Sequence, residues 1–292
     1  MTTPFRRTTL AHALMISGVL VLGACSSDDD DDGDTTPDTP DPADGSTTYE
    51  VTLSPLQQVP PLTDVEAGGD ATLVVDMDTG MISAEVTPSD LSGPAQAAHI
   101  HQAMGGMNGD VIVPLEDPDA DGTWTVPESD NMLEPAELEA LAMGGLYFNV
   151  HTEANPDGEV RGQIIPEGVF FNVVEASGEQ EVEPVTTDAS GVGVITIQAD
   201  GATTATLFTF GIGGEEADEA AHIHRGVTGE NGDVIIALEQ GDDGESAGEL
   251  DVWRTPEGAT LDTESRAGGL YFNAHSTDNP DGEVRAQIKD AD

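Results

Sequence analysis

The chain has 292 residues, of which 57 are Asp or Glu and only 8 are Lys or Arg, so its formal net charge at neutral pH is −49. Such a charge repels phosphate backbones and anionic lipid headgroups, which excludes the class of nucleic-acid-binding proteins. The chain contains one cysteine. It therefore forms no internal disulfide and has no cysteine-based zinc or iron–sulfur site.

Residues 1–24 have the three parts of an export signal. Arg6 and Arg7 supply a positive start, an apolar stretch covers residues 10–22, and small residues follow it. The apolar stretch is shorter than the roughly 20 residues that a membrane-spanning helix needs. We therefore expect this segment to direct export and to be removed.

The sequence Leu-Gly-Ala-Cys at residues 22–25 resembles the lipobox of bacterial lipoproteins. The resemblance implies that cleavage leaves Cys25 as the lipid-modified N-terminus, which ties the protein to a membrane. Ser26 follows it, and the sorting rule of that family then favours the outer membrane. The alternative is an ordinary signal peptide with a chance cysteine.

Residues 25–48 are dominated by Asp, Thr, Pro, Gly and Ser, with an unbroken acidic run at residues 28–32. A segment of this composition buries no apolar surface. Prolines and mutual repulsion between the carboxylates keep such a segment extended. We expect a disordered tether between the lipid and the folded part.

The strongest internal signal is a duplication whose period is a full domain. Residues 144–164 and 268–288 are identical at 16 of 21 positions, and Ala-Ala-His-Ile-His occurs at residues 97–101 and 220–224. We therefore predict two tandem domains of about 120 residues, each large enough for its own core. They cover residues 49–166 and 167–292.

Short apolar segments rich in β-branched residues predict strands in each copy. In the first copy they lie at residues 71–75, 82–86, 111–113 and 146–150. The turn Asn-Pro-Asp-Gly at residues 155–158 is a strong hairpin signal, and one short helix is expected over residues 135–143. These patterns predict an all-β fold of two tandem Greek-key β-sandwich or barrel domains, either immunoglobulin-like or Cu,Zn superoxide dismutase-like.

Six of the seven histidines fall into two matching polar sets. Residues two apart on a strand share a face, so a His-x-His pair points one way, and the hairpin turn brings a second polar face beside a third histidine. We expect each set to gather on one surface. The first set is His99, His101, His151, Asn149, Arg161 and Gln163, and the second is His222, His224, His275, Asn273, Arg285 and Gln287.

Two interpretations of these sets remain open. Three neutral imidazoles can bind zinc or copper and leave a coordination position free. Alternatively, the imidazoles form a hydrogen-bonded network that holds the hairpins together. The sequence favours the network, because the carboxylates that often support histidine ligands are not apparent. Arg161 beside the cluster would repel a cation or steer an anionic ligand toward one.

A weaker motif suggests a calcium site in the first copy. Asp117, Asp119, Asp121 and Glu128 have the spacing of a twelve-residue calcium-binding loop. The second copy has no equivalent spacing, and chance matches are common in so acidic a chain. Two further acidic residues, Glu153 and Glu159, flank the hairpin turn and are expected on the solvated surface.

Taken in order, these motifs resemble the chordin-type domain, called CHRD. The family pattern is His-x-His, then Asn-Gly-Asp, then Gly-x-x-Tyr-x-Asn-x-His, then Asn-Pro-x-Gly-Glu-x-Arg-Gly-Gln. The first copy matches it at His99/His101, Asn108–Asp110, Gly144–His151 and Asn155–Gln163. The second copy matches it at His222/His224, Asn231–Asp233, Gly268–His275 and Asn279–Gln287, with Ala286 in place of a glycine.

The resemblance implies an extracytoplasmic β-sandwich module. The family occurs in an animal inhibitor of growth-factor signalling and in secreted microbial proteins. The histidine motif is also similar to that of Cu,Zn superoxide dismutase, but each copy lacks a further histidine for a bridging ligand, so dismutase activity is not expected.

No sequence signature of a nucleophile elbow, phosphate loop or dinucleotide site occurs. We expect a non-enzymatic envelope lipoprotein that binds an unidentified protein or envelope ligand, with a copper- or zinc-binding and redox-active protein as the alternative.

Overall fold

The computed structural model describes residues 45–212, 220–241, 250–262 and 269–288. The predicted signal, the lipidation site Cys25 and most of the predicted tether lie outside the described residues. No helix in the described ranges is long and apolar enough to cross a membrane.

The first domain consists of two four-stranded antiparallel sheets and one short helix. Its elements are β1 (Ser46–Leu53), β2 (Gly68–Asp76), β3 (Ile82–Ser89), β4 (Ala95–Gln102), β5 (Asp110–Leu115), β6 (Trp124–Thr125), α1 (Pro135–Ala142), β7 (Leu146–Thr152) and β8 (Val160–Ile164). One sheet has the strand order β1-β2-β3-β6 and the other β5-β4-β7-β8. An isolated bridge between Ser54 and Arg161 connects the two sheets.

The second domain repeats this arrangement. Its strands are β9 (Phe170–Ser177), β10 (Ser190–Ile197), β11 (Thr203–Phe210), β12 (Ala220–Arg225), β13 (Val234–Ala237), β14 (Glu239–Gln240), β15 (Leu250–Arg254), β16 (Leu270–His275) and β17 (Val284–Ile288). They form one sheet in the order β13-β12-β16-β17-β9-β10-β11-β15-β14. The pairing of Ser177 with Arg285 joins its two halves, at the position that the bridge occupies in the first domain. The predicted all-β sandwich or barrel class is confirmed.

The strands form where the sequence alternates, because one face of each sheet packs on the core. In β3 the residues Ile82, Ala84 and Val86 are buried while those between them are exposed. Strands β7 and β8 are almost entirely buried on both faces. The polar side chains of β7 and β8 therefore lie in the interior, where each needs a hydrogen-bond partner.

The single predicted helix is present as α1. Pro135 begins it, where a missing N–H costs nothing, and Glu134 and Glu137 form a reciprocal capping box at its start. Gly144 follows its end with φ of +75°, a conformation that favours glycine. The helix ends there because the chain must turn back into β7.

One surface prediction was wrong. Glu159 is fully buried and its carboxylate accepts hydrogen bonds from Ser92, Thr152 and Asn155. Burial favours the neutral acid, but these hydrogen bonds outweigh it and lower the pKa of Glu159. The residue ties the hairpin turn to a neighbouring loop. Glu153, on the other side of the turn, is exposed as predicted.

Each domain has its own apolar core, and a third apolar cluster joins them. Val59 of the first domain packs with Val194, Phe208 and Val252 on the outer face of the second domain's sheet. Strand β10 is consequently buried on both faces except at Ser190.

Candidate metal centre

The histidine clusters form because two strands pair in a definite register. In the first domain β4 lies beside β7, with His99 opposite Asn149 and Ala97 opposite His151. In the second domain β12 lies beside β16 with the equivalent pairings. A histidine on β7 therefore approaches the two histidines that share a face of β4.

In both domains the three imidazoles converge. One potential ligand nitrogen from each of His99, His101 and His151 lies within 4.8 Å of the other two, and the same holds for His222, His224 and His275. The ring centroids in the first cluster are 5.0, 5.5 and 6.0 Å apart, and those in the second are 5.0, 5.5 and 5.9 Å apart. The two clusters thus have nearly the same geometry.

Backbone carbonyls determine the tautomer of two histidines in each cluster. The Nδ1 atom of His101 lies 2.9 Å from the Gly109 carbonyl oxygen, and that of His151 lies 3.0 Å from the Pro156 carbonyl oxygen. A carbonyl oxygen only accepts, so each Nδ1 carries the proton and each Nε2 keeps its lone pair. His224 and His275 have the same arrangement, at 3.0 Å from Gly232 and 3.1 Å from Pro280.

The nitrogens that face the centre of the second cluster are buried and unpaired. Within the described chain, Nδ1 of His222, Nε2 of His224 and Nε2 of His275 have no hydrogen-bond partner. In the first cluster Nε2 of His101 is also unpaired, while Nδ1 of His99 lies 3.1 Å from Nε2 of His151. A buried polar atom without a partner costs free energy, and a metal ion would provide the missing partner.

The clusters are neutral at physiological pH. Burial, with the neighbouring His151 and His101 charges adding to it, lowers the pKa of His99 to about 4. Burial and the same kind of neighbours lower the pKa of His222 to about 4. The pKa values of the other four histidines are also lowered, chiefly by burial. Neutral imidazole is the form that binds metal ions.

A tyrosine and an arginine support one side of each cluster. The Tyr147 ring stacks on the His101 ring with 4.9 Å between the centroids. Arg161 Cζ lies 3.5 Å from the Tyr147 ring centroid and makes a cation–π contact with it. Tyr271 and Arg285 repeat this stack on His224. The predicted sets did not include either tyrosine, although each lies within a motif that the two copies share.

Arg161 lies beside the cluster, and its charge adds to burial in lowering the pKa of His101, but its guanidinium is enclosed in the interior. It is 1% exposed, and its guanidinium donates hydrogen bonds to the carbonyls of Met107 and Met104 and to Gln163 Oε1. Burial lowers its pKa to about 10, so it stays protonated at neutral pH. Arg161 therefore holds the loop that carries the Gly109 carbonyl. Arg285 and Gln287 bind the corresponding loop in the second domain.

The asparagines hold the hairpin turn that supplies the other carbonyl. Asn149 accepts a 2.8 Å hydrogen bond from Gln58 Nε2 and donates to the Asp157 carbonyl. In the second domain Glu181 replaces the glutamine, and among the described residues neither its Oε1 nor Asn273 Oδ1 has a hydrogen-bond partner. Burial raises the pKa of Glu181 to about 7, against the opposing charge of Arg285. Sequence reasoning missed this pair, because Gln58 and Glu181 lie outside the shared motifs.

Both interpretations left open by the sequence thus have a structural counterpart. A hydrogen-bonded network is present, and it orients the outer nitrogen of two rings per cluster. The inner nitrogens lie within 4.8 Å of one another, and backbone carbonyls take the supporting role that carboxylates often have beside histidine ligands. Three neutral imidazoles of this kind suit zinc or copper.

The predicted calcium ligands are not brought together. Asp117 accepts hydrogen bonds from the backbone N–H groups of Asp121 and Gly122, and Asp121 accepts one from Thr123. The Asp117 and Asp121 carboxylates thus bind backbone N–H groups of their own loop. Across the described ranges, the only groups of three or more His, Cys, Asp or Glu residues with ligand atoms within 4.8 Å of one another are the histidine clusters. Asp119 and Glu128 join no such group, and calcium binding stays an untested prediction.

Fold and site together define a class of protein, in which two tandem all-β domains each present a partly buried three-histidine cluster beside a tyrosine–arginine stack. The family model described as CHRD domain matches residues 49–164 and 173–288. These two segments cover most of the chain, which therefore belongs to the CHRD domain family. The predicted boundary near residue 166 falls between them. A comparison with curated proteins found no match.

Proposed function

We propose that the protein is a non-enzymatic binding module of the cell envelope, and that the binding element of each CHRD domain is a transition-metal site. The ligands are His99, His101 and His151 in the first domain and His222, His224 and His275 in the second. The observation that carries the proposal is the convergence of three imidazoles in both copies, with all three inward nitrogens of the second cluster and His101 Nε2 of the first buried and unpaired. Copper and zinc are the metals that this donor set favours.

Duplication adds independent support. The two domains differ at many surface positions, yet their ring separations agree within 0.1 Å. A network that only joined hairpins would need the outer hydrogen bonds and not the inward-facing lone pairs. Both clusters have the outer hydrogen bonds, and in the second cluster all three inward nitrogens are also unpaired.

Metal analysis of the purified full chain, followed by separate titrations with Cu²⁺ and Zn²⁺, tests the metal sites. We expect two ions per chain, one ion in His101→Ala or His224→Ala, and none of high affinity in the double variant. The two single variants control for each other, since each leaves the other cluster unchanged. If wild type binds no stoichiometric metal, or the double variant binds as well as wild type, the clusters are structural networks, and the domains bind their partner by another surface.

We further propose that lipid on Cys25 anchors the chain to the envelope, with Ser26 favouring the outer membrane. The acidic segment over residues 25–48 would then hold the two domains away from the bilayer. The Leu-Gly-Ala-Cys sequence supports this placement. In the native host, Cys25→Ser should move the protein from the membrane fraction to the soluble fraction. Retention of the variant in the membrane would contradict lipid anchoring.

A further inference from the structure

Three histidines fill fewer coordination positions than a zinc or copper ion normally has. A metal site with three protein ligands leaves a fourth position for water or an external molecule. What lies beside that position decides whether an external ligand can reach it. The first and third histidines of each cluster are only partly buried, whereas the second is buried. Access to the centre is therefore from the side of the first and third rings.

In the second domain a shallow depression lies on that side. It has a volume of about 470 Å³ and is open to solvent. Its lining contains no charged side chain, so the metal would be the main attraction for a charged ligand there, with a smaller contribution from the buried Arg285 behind His224. The lining residues are Ala220, His222, His275, Ser276, Thr277 and Pro280.

From this arrangement we infer that the metal site of the second domain takes a small anion as an external fourth ligand. The inference rests on the proposed metal site. Three neutral imidazoles leave the full positive charge of a divalent ion in place, which attracts an anionic donor. The depression admits a small molecule, and the strong negative charge of the whole chain disfavours a large polyanion.

Among the positions that line this rim, the first domain differs from the second at one charged residue; Asp278, which follows Thr277 where the first domain has Ala154, does not line the depression. The residues equivalent to Ala220, Ser276 and Pro280 are Ala97, Thr152 and Pro156, which are also uncharged. The residue equivalent to Thr277 is Glu153. Both side chains are exposed.

The Glu153 carboxylate repels an anion that approaches the first site, and Thr277 does not repel an anion at the second. The second site is therefore the stronger anion site. Because Glu153 is exposed to solvent, we expect the affinities of the two sites for an anion to differ by only about two- to fivefold at low salt. The difference should shrink as salt screens the carboxylate.

The experiment uses the full chain loaded with Cu²⁺ and azide as the anionic probe. His101→Ala isolates the second site and His224→Ala isolates the first. Azide is titrated into each variant while its charge-transfer absorption and the electron paramagnetic resonance spectrum of the copper are recorded. We expect azide to change both spectra, with tighter binding at the second site.

Exchange of the rim residue is the matched control. Thr277→Glu in the His101→Ala background should weaken azide binding about two- to fivefold, and Glu153→Thr in the His224→Ala background should strengthen it by a similar factor. Both side chains are exposed, so neither exchange should affect folding, which thermal unfolding can verify.

The outcomes separate the inference from the proposal on which it rests. If neither site binds copper, the proposed metal function fails. If copper binds but azide changes neither spectrum, the metal sites stand and the external ligand position is refuted. If azide binds both sites equally and the rim exchange has no effect, selection by Glu153 and Thr277 is refuted.

Discussion

Each histidine ring has two nitrogens with different tasks. In the second and third histidine of each cluster, Nδ1 donates to a backbone carbonyl and Nε2 points to the shared centre. The first histidine, His99 or His222, turns its Nδ1 toward the centre. A second proton on any of these rings would place a positive charge in a buried site beside two other rings, and burial is the main cause of the lowered pKa values.

We predict that metal affinity is constant near neutral pH and falls as the pH approaches about 4 and drops below it. The pKa values of His99 and His222 are about 4 in the folded chain, below the ordinary 6.5. Protons therefore compete with the metal only in acid. Competition titrations with a chelator across this range measure the effect. A tenfold loss of affinity already present at neutral pH would contradict the lowered pKa values.

The metal-free chain should also lose stability as the pH falls. The pKa of a histidine such as His99 is lower in the folded state than in the unfolded state. At a pH between these two pKa values, the unfolded chain therefore binds more protons than the folded chain. The stability contribution of the neutral form is then complete above about 6.5 and is lost as the pH falls toward about 4. Thermal unfolding of the wild type and of His99→Gln across this pH range tests the prediction, because the variant lacks this contribution and should lose less stability as the pH falls.

A second prediction concerns Glu181, whose contribution to stability changes with pH in the opposite direction to that of the histidines. Its raised pKa of about 7 means that the folded chain holds a proton that the unfolded chain releases, so its ionisation destabilises the fold as the pH rises through 7. Glu181→Gln should restore the hydrogen bond that Gln58 makes to Asn149. We expect a gain of about 1 kcal/mol in the free energy of unfolding above pH 7.

The gain from Glu181→Gln should be smaller at about pH 5, where the wild-type acid is protonated and can donate to Asn273 itself. Denaturant unfolding at the two pH values measures the difference. Gln58 offers the matched control, because Gln58→Glu should introduce the same pH-dependent loss into the first domain. An equal gain at both pH values would show that ionisation of Glu181 is not involved.

At the scale of elements, the hairpin turn between β7 and β8 is part of the site. Its Pro156 carbonyl orients His151, and the Asn149 side-chain amide donates a hydrogen bond to the Asp157 carbonyl of the turn. Gly158 has φ of +128°, and a Cβ atom there would collide with the Asn149 amide. The glycine thus permits the close approach that holds the turn in place. Gly282 and Asn273 repeat it in the second domain.

Gly158→Ala should therefore weaken both the fold and the first metal site. We expect a loss of about 2 kcal/mol in the free energy of unfolding. Displacement of the Pro156 carbonyl should lower metal affinity at the first cluster by about 10- to 100-fold. Metal titration in the His224→Ala background measures this affinity separately from the second site.

The control for Gly158→Ala is Gly258→Ala. Gly258 also has a positive φ, of +77°, but a Cβ atom there would meet nothing within 4 Å. It should cost about 1 kcal/mol of backbone strain and leave both metal affinities unchanged. If both substitutions reduced affinity at the first site equally, the loss would reflect global destabilisation and not the turn.

At the scale of the whole molecule, the loop that carries Gly109 also packs on the second domain. Gly105 and Gly106 are buried against that domain, and Thr206 donates a 3.3 Å hydrogen bond to the Gly106 carbonyl. A Cβ atom on Gly105 would lie 2.6 Å from the Phe171 ring. The second domain's own loop has Thr228 at the position of Gly105, and it is exposed.

Gly105→Trp should separate the two domains, because the ring cannot fit against Phe171. We expect a loss of about 1–3 kcal/mol in stability, together with faster proteolysis of the connection between residues 164 and 170. Thr228→Trp adds the same side chain to the equivalent exposed loop and should change neither. Unchanged proteolysis of Gly105→Trp would refute the packing of this loop on the second domain.

The sequence by itself determined the domain duplication, the strand class and the membership of each polar set. These properties follow from local periods and repeats, because alternation along a strand assigns side chains to faces without knowledge of distant partners. The pairing of the Asn149 and Arg161 faces was also predictable, since the Asn155–Gly158 turn lies within the short connection that pairs β7 with β8.

Only the tertiary structure decided the tautomers, the inward direction of Arg161, the burial of Glu159 and the contact between domains. Each depends on groups far apart in sequence, such as the Gly109 carbonyl for His101 or Phe171 for Gly105. Burial then determines which form of a titratable group is stable, because desolvation acts through the folded surroundings. The acidic composition predicted exposed carboxylates, but tertiary packing placed Glu159 and Glu181 in the interior.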